Sequence, residues 1–406
     1  MSKPVKIRAE RIVKLFGDQP EEAQRRLQEG ASKDEVYRET GSVVAVSGVS
    51  FEVPQGEVFV VMGLSGSGKS TLIRCINRLI EPTSGYLYLD EEDLLAADEK
   101  HLREIRRTKM AMVFQHFALL PHRTVGQNVE YGLKIRGVDR RTRREQALNA
   151  LEQVGLRDWA DSMPQQLSGG MQQRVGLARG LASDPEVLLM DEPFSALDPL
   201  IRRDMQQELL QLQRKMNKTI IFITHDLHEA LILGDQIAIM KDGRFVQIGT
   251  PEEIVGAPAD PYVKAFTQDV DRGRVFSLGT VMEKPEALQE GDTVDEARAR
   301  LESLEREALY VIDAESKPLG VVSATQLADS NTPDLASLVQ RDFPSGRPED
   351  HLIDIYRECA TGLPVAVLDT QGRLQGTVEP RAVFRELARG MDNGGESAES
   401  RSAPVR

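Results

Sequence analysis

The sequence predicts a large α/β domain followed by a smaller α/β domain, and three observations carry that prediction. Gly63-Leu64-Ser65-Gly66-Ser67-Gly68-Lys69-Ser70 matches G-x-x-x-x-G-K-[ST] and lies between an apolar run, Val58 to Met62, and a helically spaced stretch opening at Thr71. A second apolar run, Val187 to Met190, ends in two carboxylates, Asp191 and Glu192, at the strand end where open α/β sheets bind ligands. Far downstream, Tyr310-Val-Ile-Asp-Ala-Glu-Ser-Lys-Pro-Leu-Gly-Val-Val is echoed from Val365 onward, which marks an internal repeat.

Length and composition set the outer bounds. A chain of 406 residues exceeds one ordinary core, so two or three domains are expected. A net charge of -13 repels phosphate backbones and argues against a nucleic-acid partner. Cys75 and Cys359 are the only cysteines and stand far apart, which supports neither a disulfide framework nor a zinc site and points to a reducing compartment. The charged stretch Met1 to Val13 has no signal-peptide core, and no apolar run approaches the ~20 residues that span a bilayer. Any membrane role is expected to be peripheral.

Taken in order, Lys6 to Phe16 reads as the opening strand. The polar stretch 18–41 holds Ser32-Lys-Asp-Glu35, a capping box, so a short helical insertion is expected there. Val43 to Val46 and Val49 to Val53 resume strand character, and alternating strands and helices follow to about Ile248. In the phosphate loop, the glycines let successive N–H groups point inward and the next helix adds its positive end, a cradle for polyphosphate. Lys69 is expected to reach the β- and γ-phosphates and the Ser70 hydroxyl to sit on Mg²⁺. Asp191 suits the same metal, and Glu192 suits polarising a water.

Three further signals follow. Ser168-Gly169-Gly170 precedes a helically spaced run, making Ser168 an N-cap and this helix start a second anion site. His225 ends an apolar run from Phe222, where it either contacts a phosphate or caps the strand. Gln115 follows Met110 to Phe114 and is either a metal or water ligand that swings with its loop or an ordinary surface glutamine.

In order and spacing these pieces resemble the ATPase subunit of ATP-binding cassette (ABC) transporters over about residues 6–270. The resemblance makes residues 63–71, Gly63 through Thr71, the Walker A motif, Gln115 the Q-loop, Ser168 to Gly170 the signature, and Asp191 and Glu192 Walker B. It makes Ser195-Ala-Leu-Asp198 the D-loop and His225 the switch histidine. It implies ATP and Mg²⁺ as cofactors, with Ser70, Gln115 and Asp191 toward the metal, Glu192 as base and His225 bridging base and γ-phosphate. Asp198 and residues 168–170 then approach the nucleotide, two copies sandwich two ATP molecules head to tail, and a transmembrane permease and substrate-binding protein complete the assembly at the cytoplasmic face of the inner membrane. Met171 stands where the signature usually has glutamine. Phe16 is the best match to the adenine-stacking aromatic, with Val44 or Val46 sharing its face.

The insertion, Ser195-Ala-Leu-Asp-Pro-Leu-Ile-Arg202 and the repeat-bearing C-terminal part resemble more narrowly the ATP-binding subunit of importers for glycine betaine, proline betaine and related osmoprotectants. The alternatives are another amine or amino-acid importer, or a soluble ABC ATPase outside transport. Domains are expected at 1–270 and 280–390, with a linker at 271–279 and a disordered Gly/Ser/Glu-rich tail at 391–406. The repeat resembles a tandem pair of CBS modules with a regulatory role. That family's Ser or Thr with an Asp three residues on is replaced here by Ser323 with Gln326 and by Glu379 with Ala382, so nucleotide is not expected in the usual cleft. Arg341, Arg347, Arg357, Arg373, Arg381 and Arg385 suggest instead a cationic, salt-sensitive docking face.

Overall fold

The computed structural model describes residues 3–114, 118–195, 197–329, 332 and 334–389, and it divides into two compact units at Thr267/Gln268. The first unit opens on β1 (Val5–Phe16). The polar stretch after it forms two helices, α1 (Pro20–Gln28) and α2 (Lys33–Thr40). The expected capping box starts α2: Ser32 N donates to Glu35 Oε2 at 2.7 Å and Glu35 N to Ser32 Oγ at 3.3 Å. β2 (Val43–Pro54) joins the two short strands expected there into one, because Gly48 at φ 72° absorbs the register shift that would otherwise end it.

Then come β3 (Val58–Met62), α3 (Lys69–Ile76), β4 (Ser84–Leu89), β5 (Glu92–Asp93), α4 (Glu99–Thr108) and β6 (Met110–Val113). Three helices follow, α5 (Val125–Ile135), α6 (Arg140–Gln153) and α7 (Gly169–Ala182). The unit ends with β7 (Val187–Asp191), α8 (Pro199–Met216), β8 (Thr219–Thr224), α9 (Leu227–Leu233), β9 (Gln236–Lys241), β10 (Arg244–Gly249), α10 (Pro251–Gly256) and α11 (Pro261–Thr267).

A four-stranded antiparallel sheet has the order β2-β1-β4-β5, and a six-stranded sheet has the order β10-β9-β3-β8-β7-β6, parallel except for β10. Parallel strands are covered on both faces and therefore read as continuous apolar runs. β3, β7 and β8 are buried at every residue. Successive side chains feed opposite layers: Val60 and Met62 pack with Leu177 and Leu209, whereas Phe59 and Val61 pack with Leu72 and Ile73. The register sets Met62 beside Thr224 and Asp191 beside Ile223. The residues that leave these strands, Gly63, Glu192 and His225, therefore emerge on one edge.

In the second unit, residues 271–279 do not form the expected linker. Val275, Phe276 and Leu278 are buried, the backbone N–H groups of Leu278 and Gly279 donate to the carbonyls of Asp350 and Pro348, each at 2.8 Å, and Arg272 pairs with Glu386. Apolar side chains among charged neighbours need cover, and the cover comes from residues some 70 positions later, which local composition does not reveal. α12 (Leu278–Val281) belongs to this segment.

The repeat then unfolds as β11 (Ala287–Gln289), α13 (Val294–Ser303), β12 (Ala308–Ile312), β13 (Pro318–Ser323) and α14 (Ala324–Ala328), and again as β14 (Ser345–Gly346), α15 (Tyr356–Cys359), β15 (Val365–Leu368), β16 (Leu374–Val378) and α16 (Pro380–Ala388). Each copy makes a three-stranded sheet with one parallel and one antiparallel pairing. Ala308, Tyr310 and Val321 share one core cluster with Ala366 and Leu374, and the Tyr310 hydroxyl donates to Pro364 O at 2.6 Å. The cationic face is also corrected. Residues 268–389 carry 14 Lys and Arg against 23 Asp and Glu, and Arg373 is held by Asp369 at 2.8 Å. The arginines are interleaved with a larger number of acids. The expected tail, 391–406, lies outside the described residues.

Candidate active site

The phosphate loop is shaped by what its glycines exclude. A Cβ at Gly63 would collide with the Met240 carbonyl oxygen, and one at Gly68, whose φ is 106°, would collide with that of Ala45. The loop is thus pressed onto β9 and β2 at once, and only glycine permits it. α3 starts at Lys69, so the N–H groups of Lys69, Ser70 and Thr71 lie in a first helical turn, where they have no intrahelical acceptor. Ser67 Oγ is buried without a hydrogen-bond partner. Orphaned donors around a tight loop suit an anion rich in acceptor oxygens.

Lys69 is 5% exposed, and its Nζ donates to Gly63 O at 2.8 Å and Leu64 O at 3.0 Å. Burial pushes its ammonium below the ordinary lysine range, opposed by the charges of Glu192 and Asp191. Glu192 Oε1 stands 4.0 Å from Nζ. Ser70 Oγ donates to Asp191 Oδ1 at 2.8 Å, and Arg74 holds Asp191 Oδ2 at 3.3 Å. Among the described residues no group of three or more His, Cys, Asp or Glu side chains is placed to hold a metal by itself. Mg²⁺ keeps several waters and takes one or two carboxylates plus substrate phosphates, and the Ser70–Asp191 pair beside a phosphate loop fits that donor set.

Glu192 adopts φ 46°, a left-handed conformation costly for a residue with a side chain. Its backbone N–H donates to Ile223 O at 3.1 Å, which turns its carboxylate toward β8. Glu192 Oε2 then meets His225 Nδ1 at 3.0 Å. The strain sits on the residue assigned as base, beside a histidine whose sequence position left two readings open.

The other expected residues fall elsewhere. Ser168 caps α7, accepting from Met171 N at 3.4 Å. Gly169 and Gly170 form the first turn, with Gly170 so close to Ile201 that a Cβ would stand 2.8 Å from its Cγ2. Asp198 caps α8, accepting from Leu200 N at 3.2 Å and Ile201 N at 3.1 Å. Among the described residues no hydrogen bond or ion pair ties 168–170 or Asp198 to the phosphate loop of the same chain. Gln115 lies outside the described residues. Phe16 is 41% exposed and pairs across the sheet with Val43, which is 51% exposed. Val44 and Val46 are buried in core clusters and do not share its face. Strand alternation puts Val43 and Ala45 there instead, and the Ala45 carbonyl is the one pressed against Gly68.

Two residues escaped the sequence reading. Arg74 lies four positions after Ser70 on α3, a spacing that puts both on one helix face, so its reach to Asp191 was recoverable from periodicity. Tyr262 of α11 lies with Lys241 Nζ 4.7 Å from its ring centroid, and the backbone at Leu64 in the phosphate loop opposes the rise that burial gives its phenol. No local pattern announces that placement.

A phosphate loop whose hydroxyl is bonded to a buried aspartate, with a carboxylate–imidazole pair on the same sheet edge, defines a P-loop nucleotide hydrolase. The ABC transporter family model matches residues 46–195. The chain is 47% identical over 389 residues to the glycine betaine transport ATP-binding protein OpuAA of Bacillus subtilis (strain 168), covering 95% of this chain and 93% of that one. It is 43% identical over 400 residues to the glycine betaine/proline betaine transport system ATP-binding protein ProV of Escherichia coli (strain K12), covering 96% and 100%. A solved dimeric ATP-binding cassette in a post-hydrolysis state with ADP and Pi matches with TM-score 0.51 and 33% identity, over 60% of this chain and 98% of that one. The chain belongs to the ATP-binding proteins of ABC transporters. It is an ATPase that uses Mg²⁺.

Proposed function

We propose that this ATPase powers import of a quaternary-amine osmoprotectant of the glycine betaine or proline betaine type through a membrane permease fed by a substrate-binding protein. The observation that carries the reading is identity of 43–47% along nearly the whole chain, second unit included, with proteins named for glycine betaine transport. Two copies act as a pair, docked at the cytoplasmic face of the membrane. No helix among the described residues is long and apolar enough to cross a membrane itself, so attachment runs through the permease. The first unit, to Thr267, is the catalytic domain and the second, from Gln268, the regulatory one, the latter a tandem CBS pair.

In this reading the loop N–H groups and Lys69 bind the phosphates of ATP, and Ser70 and Asp191, with Gln115, would hold Mg²⁺. That ion supplies charge neutralisation at the phosphate oxygens. Glu192 orients the attacking water and accepts its proton. His225, hydrogen-bonded to that carboxylate, holds it toward the γ-phosphate, and Arg74 keeps Asp191 oriented toward Ser70. Ser168, Gly169 and Gly170 of the partner copy close the site, with Asp198 fixing the adjoining loop, and Phe16 stacks on adenine. Phosphoryl transfer needs positioning and charge stabilisation more than covalent chemistry, and these groups supply both.

The test is reconstitution of the chain with its permease in proteoliposomes. Glycine betaine delivered by the binding protein should stimulate ATP hydrolysis and accumulate inside, whereas stimulation by an unrelated amino acid and not by betaine would overturn the substrate class.

A further inference from the structure

Behind His225 lies a buried polar cluster that the hydrolytic scheme does not use. Glu229, in the first turn of α9, is 4% exposed. Its Oε2 accepts from Thr224 Oγ1 at 2.6 Å and its Oε1 from Gln206 Nε2 of α8 at 3.2 Å. Thr224 Oγ1 also accepts from Asp226 N at 3.0 Å. The strand end before His225, the turn after it and the following helix are therefore tied to one carboxylate. Burial pushes the Glu229 carboxyl above its usual range, with Asp226 adding to the rise and Thr224, Arg202 and Gln206 opposing it.

Arg202, one turn into α8, makes the second tie. One of its terminal nitrogens donates to Asp226 Oδ2 and the other to Leu197 O, each at 3.2 Å. Its Nε stands 3.7 Å from Glu229 Oε1 and is buried without a hydrogen-bond partner. A single guanidinium thus spans the loop that leads into Asp198 and the turn that follows His225. An orphaned buried N–H beside a carboxylate is costly to leave unmade, and a small shift of α8 would complete the bond. At the start of α8, Leu200 is 75% exposed, and Ile201 bears on Gly170 of the signature turn.

We infer that Arg202 and Glu229 are positioning residues for His225, coupling the Asp198 end of α8 to the placement of the imidazole against Glu192. The two residues touch neither the phosphate loop nor Asp191. They act by holding the His225 turn, so a contact that moves the start of α8 changes the alignment of the hydrolytic pair. The inference rests on the proposed role of His225 in hydrolysis.

The experiment uses the full chain with ATP and Mg²⁺. Glu229→Gln keeps the shape and removes the charge, and it should lower kcat about 10- to 100-fold, the cost of a misplaced catalytic group, while KM for ATP and the melting temperature stay near wild type. Arg202→Gln should lower kcat in the same way, and Arg202→Lys, which keeps the charge, should recover part of it. The deciding measurement is made in a His225→Ala background. If Glu229 acts through His225, adding Glu229→Gln there slows hydrolysis no further, whereas a merely structural role would lower the rate again by the same factor and overturn the inference. Wild-type kcat in both Glu229→Gln and Arg202→Gln would also overturn it. Wild-type kcat in His225→Ala alone would instead remove the role of His225 on which the inference stands. If Glu229→Gln does not fold, the partly exposed Arg202 carries the same double-variant test.

Discussion

Ser70 in the first turn of α3 and Ser323 at the cap of α14 both stand where family resemblance expects a nucleotide, and their surroundings are opposite. Around Ser70 part of the donor set is left open: Lys69 rests on two backbone carbonyls with the Glu192 carboxylate at 4.0 Å, and Ser67 Oγ has no partner, while Ser70 Oγ itself donates to Asp191. Around Ser323 everything is paired. Its Oγ and N–H close a capping box with Gln326, and at the equivalent place in the second copy Glu379 receives Arg306 at 2.8 Å, with Glu283 on the other arm of the same guanidinium. The contrast teaches what a motif alone does not say. A polar site binds an anion when its donors lack strong internal acceptors, because a ligand then adds bonds rather than exchanging them.

The largest expected effect strikes the open site. Glu192→Gln should cut ATP turnover by roughly 10²- to 10⁴-fold and leave ATP binding intact, because the loop, Lys69 and Ser70 are untouched. Turnover close to wild type would take the base role from Glu192. Lys69→Ala should weaken ATP affinity by about 10- to 150-fold, the worth of a charge-assisted hydrogen bond of ~1.5–3 kcal/mol. An unchanged dissociation constant would mean that this loop is not where ATP sits.

The closed site should answer differently. Arg306→Ala leaves the largely buried Glu379 without its cation. About 1–3 kcal/mol of stability in the second unit should be lost, toward the low end because Arg306 is a fifth exposed. Calorimetry should show that loss with no change in ATP affinity. Smaller still is a pH effect. Burial holds the Lys69 ammonium below the usual lysine value of 10.5, and bound phosphate favours the charged form. ATP affinity should therefore be full below the free protein's Lys69 pKa, and on raising the pH it should decline before the ordinary lysine range is reached. Lys69→Arg should flatten that decline. The smallest expected signal is none: with the phosphate loop disabled by Lys69→Ala, titration of the full chain with AMP should show no binding at the repeats. Tight binding there would break the contrast between the two sites.

Local geometry was legible residue by residue. The phosphate loop, the Asp191–Glu192 strand end, the Ser32–Glu35 capping box and the repeat from Tyr310 each appeared where spacing and residue type put them, because each is specified by backbone and side-chain chemistry within about ten positions. The insertion's division into two helices, the continuity of β2 through Gly48 and the burial of Val44 and Val46 were not legible, since each depends on which face meets a distant core. The charge of the second unit was misread by weighing its arginines without their interleaved acids.

Sequence by itself therefore determined the chemistry available: a polyphosphate cradle, a lysine, a metal-suited hydroxyl and aspartate, and two candidate proton-transfer groups. Tertiary structure alone decided which of these meet. Parallel pairing of β3, β7 and β8 brings Gly63, Glu192 and His225 to one edge, and the left-handed turn at Glu192 aims its carboxylate at His225. Arg74 joins them from one turn beyond Ser70, and Arg202 and Glu229 through contacts between segments that no local spacing records. The physical reason is that a motif is a short-range property of the chain, whereas a site is set by strand register and by the burial that enforces it.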